Sequence, residues 1–242
     1  MQKAAMLTPA VRVVFFDAVG TLIYPHPSAS AVYAAVGRRH GSRLTEPEIA
    51  SRFRAAFRRT LAEDEQNDLR TDEARERRRW QEIVAAVLDD VTDGQACFQE
   101  LFAHFAGPEA WACVTGAGPV LVELARRGYR LGIASNYDSR LRRVMAGLSE
   151  LAPIREAILS AEVGWRKPAP EFFAALCRQT GLAPGQIALV GDDRVNDFEG
   201  GRAVGLQVVL FDPHGREPTA LRPRVARLDE LLPPTSPATA PA

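Results

Sequence analysis

The chain has 242 residues, 46% hydrophobic and 25% charged, and thirty basic residues balance thirty acidic ones to a formal net charge of +0. That length suits one domain with a sizeable insertion, or two small domains sharing a core. The even balance gives no global field favouring nucleic acid or an anionic membrane. Cys97, Cys113 and Cys177 lack the CxxC spacing of a zinc or redox site and read as free thiols of a reducing compartment. The first ten residues carry no signal-like apolar region, and no apolar run reaches the roughly 18 residues of a membrane span. The expected location is the cytoplasm.

In chain order, the first element is "VRVVFF" (11–16), a continuous β-branched and aromatic run that reads as a parallel strand buried on both faces. It ends on Asp17, followed by Val19 and a Gly20-Thr21 turn. From Ser28 to Ala106 the texture changes to helical periodicity with no strand signal. "TEPE" (45–48) is a capping box, and Ile49, Phe53, Phe57 and Leu61 follow on one helix face. Further stripes run Trp80, Ile83, Val84, Val87, Leu88 and then Phe98, Leu101, Phe102, Phe105, stopped by Gly107-Pro108. These predict about four helices inserted between Pro25-His26-Pro27 and Gly107-Pro108. The aromatic stripes read as the insertion's own core rather than a ligand box, and the arginine clusters "RRR" (77–79) and "RRTL" read as solvated faces.

After the insertion, strand signals return at "RLGIAS" (130–135), "IREAIL" (154–159), "IALVG" (187–191) and "QVVLF" (207–211), with amphipathic segments at 118–128 and 170–181 between them. Strands alternating with helices give right-handed βαβ units. The expected fold is therefore α/β, a Rossmann-like parallel sheet core of residues 1–24 and 112–232 with an all-helical unit at 25–111. The Pro-, Ala- and Thr-rich tail, 233–242, reads as disordered.

In such sheets, ligands bind at the carboxyl ends of the strands. There the sequence places Asp17, then Ser135-Asn136, then Lys167 in "GWRKPAP", then Asp192, Asp193 and Asp197 in "GDDRVND". Lys167 is informative because the chain has one other lysine, Lys3, against 28 arginines. Each residue alone reads as a turn; together they suit one task. A carboxylate at a strand tip can attack an electrophile covalently. Phosphoryl transfer needs charge neutralised by a cation, a lysine and hydroxyl or N–H donors. Mg²⁺ accepts oxygen ligands, here the Asp17 and Asp192 carboxylates and the main-chain oxygen of Val19.

"DAVGTL", "SN", "KP" and "GDDRVND" resemble, in order, the four motifs of the haloacid dehalogenase-like hydrolases, and the helical insertion after the first motif is similar to that family's cap domain. The resemblance implies Asp17 as nucleophile, with Gly20, Thr21, Ser135 and Asn136 binding the transferred group. Lys167 would hold nucleophile and phosphoryl oxygens, Asp192 would ligate Mg²⁺ directly, and Asp197 would do so through water. It implies a small-molecule partner, a phosphate ester, on a monomer or homodimer with no nucleic-acid or membrane partner.

The departure is Val19, where most phosphatases of that family carry a second Asp as general acid and base. Losing such a group costs about 10²–10⁴-fold in rate. Three readings stay open: a metal-dependent phosphatase acting on a small phosphorylated metabolite, with His26 or Asp138 as candidate substitute acids; a 2-haloacid dehalogenase, for which Arg38 and Arg39 are available near a halide; and a weakly active or non-catalytic binding protein on the same scaffold. A phosphonate-cleaving reading is set aside because residues 25–111 contain no lysine for a Schiff base.

Overall fold

The structure, a computed structural model, describes residues 6–232. The expected disordered tail, residues 233–242, lies outside the described residues. The strands are β1 (Val13–Phe16), β2 (Ile23–Pro25), β3 (Trp111–Cys113), β4 (Arg130–Ser135), β5 (Glu156–Leu159), β6 (Ile187–Gly191), β7 (Gln207–Phe211) and β8 (Arg224–Val225). Six of them form one parallel sheet in the order β5-β4-β1-β6-β7-β8. The short β8 carries too few residues to register as a periodic run.

The continuous apolar run at β1 has a direct cause, since all four of its residues are fully buried. Val14 and Phe16 pack with Leu121, Ile133 and Val190 on one face, while Val13 and Phe15 pack with Ala134, Phe172 and Leu189 on the other. Each such side chain contributes about 1.5–3 kcal/mol on burial. The strand that presents Asp17 is thus clamped from both sides. The expected helix at 170–181 is observed at Pro170–Thr180, closed by Gly181 in a left-handed conformation.

The helical insertion consists of α1 (Ala29–Arg39), α2 (Glu46–Gln66), α3 (Glu73–Val87) and α4 (Gly94–His104). Ser28, Asp72 and Asp93 cap α1, α3 and α4 by accepting from the backbone N–H of Ala31, Arg75 and Ala96. Ahead of α2, the Glu48 carboxylate accepts from Thr45 N at 2.8 Å, one half of the anticipated capping box. Tyr33, Ile49, Ile83, Val87 and Phe98 form the centre of a separate apolar cluster. Beside the Pro25-His26-Pro27 and Gly107-Pro108 segments, the connection to the sheet holds a ribbon that the sequence reading did not anticipate. β2 and β3 pair antiparallel, Ile23 opposite Cys113 and Pro25 opposite Trp111. Three-residue strands are too short to show alternation, so the sequence pattern did not reveal this ribbon.

Two expectations for the helices are corrected. Arg79, read as part of a solvated face, is buried and pairs with Asp64. The aromatic stripes do supply a core, but Phe53, Phe57, Trp80, Phe102 and Phe105 also line a cavity of about 270 Å³. Among the described residues no helix is long and apolar enough to cross a membrane.

Candidate active site

Three adjacent strands deliver the polar residues to one edge of the sheet. Asp17 follows β1, Ser135 ends β4, and Asp192 follows β6, with β1 paired between the other two. Asp17 continues the register of β1 by donating its N–H to Val190 O at 2.8 Å. The chain then turns sharply, because Leu22 and Ile23 both donate to Ala18 O at 2.9 Å and Gly20 donates to Ile23 O at 2.8 Å. Gly20 sits at φ +100°, and a Cβ there would collide with the Asp192 carboxylate. The glycine therefore answers both to the turn and to the close approach of a site carboxylate.

Lys167 is the hub. Its ammonium donates to Asp17 Oδ1 at 2.7 Å, Ala134 O at 2.8 Å and Asp197 Oδ1 at 2.5 Å, which uses all three of its donors. Burial alone would favour the neutral amine, but the charges of Asp17 and Asp197 outweigh it and hold the group protonated, its pKa above the usual lysine range. The loop bearing Lys167 is fixed by Asn136, whose amide donates to Lys167 O at 3.0 Å and whose Oδ1 accepts from Lys167 N at 2.7 Å. Asn136 was read as substrate-binding; its amide is engaged by the lysine peptide. Ser135 is buried at the tip of β4, beside Asn136.

Asp17, Asp192 and Asp197 each offer one oxygen within 4.8 Å of the others. One ammonium, in contact with Asp17 and Asp197, stands against three carboxylates, an excess of negative charge at a largely buried place in which Asp192 is the most accessible. Burial and this excess weaken the acidity of Asp192 and Asp197. Desolvation first, and the Asp17 charge second, push the Asp192 carboxyl up to about 6. Burial raises Asp197 to about 7 even though Lys167 pulls it down. A set of hard oxygen donors that resists ionising together is the donor set a divalent cation such as Mg²⁺ suits. Thr21, fully buried, donates its hydroxyl to Asp192 Oδ1 at 3.0 Å and orients that carboxylate. Asp193 is used differently, accepting from Val195 N and Asn196 N at 2.8 Å to cap the π-helical turn Arg194–Glu199 that positions Asp197.

The Val19 side chain and the candidate acids and arginines stand apart from these carboxylates. Val19 is partly exposed and its side chain lines the cavity. His26 is exposed, with its ring edge-on to Tyr24. Asp138 is buried, and Arg140 donates to both its oxygens, at 2.8 and 2.7 Å. Arg38 and Arg39 are exposed on α1, and Arg39 pairs with Glu100. Neither lines the cavity beside Val19.

A family model for haloacid dehalogenase-like hydrolases matches residues 11–205, well over half of the chain. The chain is a haloacid dehalogenase-like hydrolase. This haloacid dehalogenase-like hydrolase is 30% identical over 235 residues to the Homo sapiens "Haloacid dehalogenase-like hydrolase domain-containing protein 3", covering 92% of this chain and 93% of that one. It is 31% identical over 238 residues to the phosphoglycolate phosphatase of Rhodospirillum rubrum, covering 91% and 88%. In fold it is similar to the crystal structure of a dehalogenase, with a TM-score of 0.72 at 18% identity over 93% of this chain and 97% of that one.

The arginines that approach the site of this hydrolase are Arg79, Arg140 and Arg166, each of which lines the cavity. Sequence reasoning missed them because 28 arginines give no contrast by residue type. One signal was present for Arg166, which directly precedes Lys167.

Proposed function

We propose that this haloacid dehalogenase-like hydrolase is a Mg²⁺-dependent phosphatase acting through an aspartyl-phosphate on Asp17. The observation that carries the reading is the convergence of the Asp17, Asp192 and Asp197 carboxylates within 4.8 Å of one another beside Lys167, where burial pushes the Asp192 and Asp197 carboxyls upward. Asp17, Asp192 and the main-chain oxygen of Val19 would hold the cation, with Asp197 behind it, and the bound ion would neutralise phosphoryl oxygens. Lys167 orients the Asp17 carboxylate and counters the negative charge of the phosphoryl group. Ser135, at the tip of β4, binds a phosphoryl oxygen, while the Gly20 turn keeps backbone close to the reacting centre. The helical unit of residues 25–111 serves as a cap that excludes water and shapes the leaving-group space. Localisation in the cytoplasm and action on a small phosphorylated molecule belong to the same reading.

The test is hydrolysis of p-nitrophenyl phosphate with Mg²⁺ and with EDTA, alongside Asp17→Asn. The expected outcome is Mg²⁺-dependent turnover that the variant loses. A second reading is favoured by Val19, because a halide leaves without a proton. Absence of phosphatase turnover together with chloride release from 2-chloropropionate would move the assignment there.

A further inference from the structure

The cavity between the helices and the sheet opens beside the reacting centre, where Val19 and Asn136 form part of its wall. Opposite them stand aromatic side chains. Tyr33 and Phe53 meet edge to face at 5.4 Å, Phe53 and Phe57 stack at 6.1 Å, and Trp80, Phe102 and Phe105 continue the lining. At about 270 Å³ the space is near the lower end of small-molecule sites, ~300 Å³ and upward.

Each arginine of this wall already contacts a carboxylate, although among those carboxylates Glu76 alone lines the cavity. Arg166 Nε meets Asp64 at 3.2 Å, and the same guanidinium pairs with Glu76. Arg79 pairs with Asp64, and Arg140 makes its two-oxygen contact with Asp138. With Arg75 also reaching Asp64 at 3.5 Å, four guanidinium groups share the carboxylates of Asp64, Glu76 and Asp138. Arg79 Nη2, which lacks a partner, is itself shielded within the protein. A leaving group carrying its own carboxylate would lose its water there and would have to compete with the resident carboxylates for guanidinium groups they already hold. An uncharged ring would stack against the aromatic side chains without displacing any of these ion pairs.

Val19 argues independently for the same class. Where no acid is positioned, the leaving oxygen departs with the electron pair of the broken P–O bond and must be a weak base. A phenolic oxygen, with a conjugate acid near ~10, meets this far better than an aliphatic alkoxide, which lies near water's ~15.7.

We propose that the substrate class is a phosphate monoester of a bulky, uncharged aromatic hydroxyl compound, whose ring fills the cavity and whose oxygen leaves unaided. This rests on the phosphatase reading above. The Asp17 carboxylate forms a bond to phosphorus as the P–O(aryl) bond breaks, and the aryl oxide takes its proton from solvent. Water then cleaves the acyl phosphate, releasing phosphate and a proton and restoring Asp17.

The experiment measures kcat/KM with Mg²⁺ for acetyl phosphate, 2-naphthyl phosphate, cyclohexylmethyl phosphate and 2-phosphoglycolate, in the wild type and in Val19→Asp. Acetyl phosphate reports the Asp17 chemistry without filling the cavity. The expected result is a preference of at least ~100-fold for the naphthyl ester over the cyclohexylmethyl ester and phosphoglycolate, the scale of a missing acid. Val19→Asp should shrink the aryl-to-alkyl ratio by at least ~10-fold. Acetyl phosphate turnover with no aryl preference, or an unchanged ratio in Val19→Asp, overturns the substrate class and leaves the phosphatase reading standing. Turnover of none of the four defeats the phosphatase reading, and the substrate class falls with it.

Discussion

At the scale of single residues, identity and geometry agree where a side chain has one possible job. Lys167 was legible because one lysine among arginines at a strand-end loop needs a reason, and its three hydrogen bonds supply it. Asp138 shows the opposite case. Its position just after "SN" made it a candidate acid, but the pairing with Arg140 could not be read from neighbouring letters. Asp138→Asn is therefore expected to keep kcat on p-nitrophenyl phosphate within about threefold while lowering Tm, because it weakens a buried charge pair; loss of turnover with Tm unchanged would restore it as the acid. Gly20→Ala is expected to lose at least ~10-fold in kcat and to lower Tm, since the left-handed backbone and the Asp192 approach both penalise a Cβ. Paired activity and melting measurements check both effects.

At the scale of elements, the long helices of the insertion and five of the six sheet strands were legible from period and length, whereas the two-residue β8 and the contacts between elements were not. α2 and α3 meet the sheet side through a buried ionic seam in which Arg166 touches both Asp64 and Glu76, and the Thr71 hydroxyl donates to Glu76 at 2.7 Å. Arg70 adds its guanidinium over the Trp165 ring at 4.4 Å. Such a seam joins residues about ninety positions apart, and no local pattern encodes it. Arg166→Met leaves Glu76 buried without its guanidinium partner and takes one of the cations from Asp64, and is expected to cost about 3–5 kcal/mol in urea unfolding. Adding Glu76→Gln to it should recover part of that loss, which a double-mutant cycle would measure.

At the scale of the whole molecule, the motif order predicted the sheet edge on which the site stands, while its electrostatic strain emerged only from the folded arrangement. The sign of that strain is definite. In the unfolded chain Asp192 and Asp197 lose their protons near 3.8, but in the fold they hold them up to about 6 and 7. The native state thus binds more protons across that window, so these two groups withdraw stability as pH rises from about 4 to 7. A bound cation reverses this by keeping both ionised. Mg²⁺ is accordingly expected to raise Tm more at pH 8 than at pH 5, relative to EDTA; an equal gain at both values would contradict the site. The β2–β3 ribbon has a different kind of consequence. Because Pro25 lies opposite Trp111, the polypeptide departs and returns through one doorway. Everything threaded between those two residues can lengthen, shorten or be exchanged wholesale without altering strand order. On the proposed reading, substrate choice can then change as a replaceable cassette, provided the seam that Arg166 makes with Asp64 and Glu76 is kept or replaced with it.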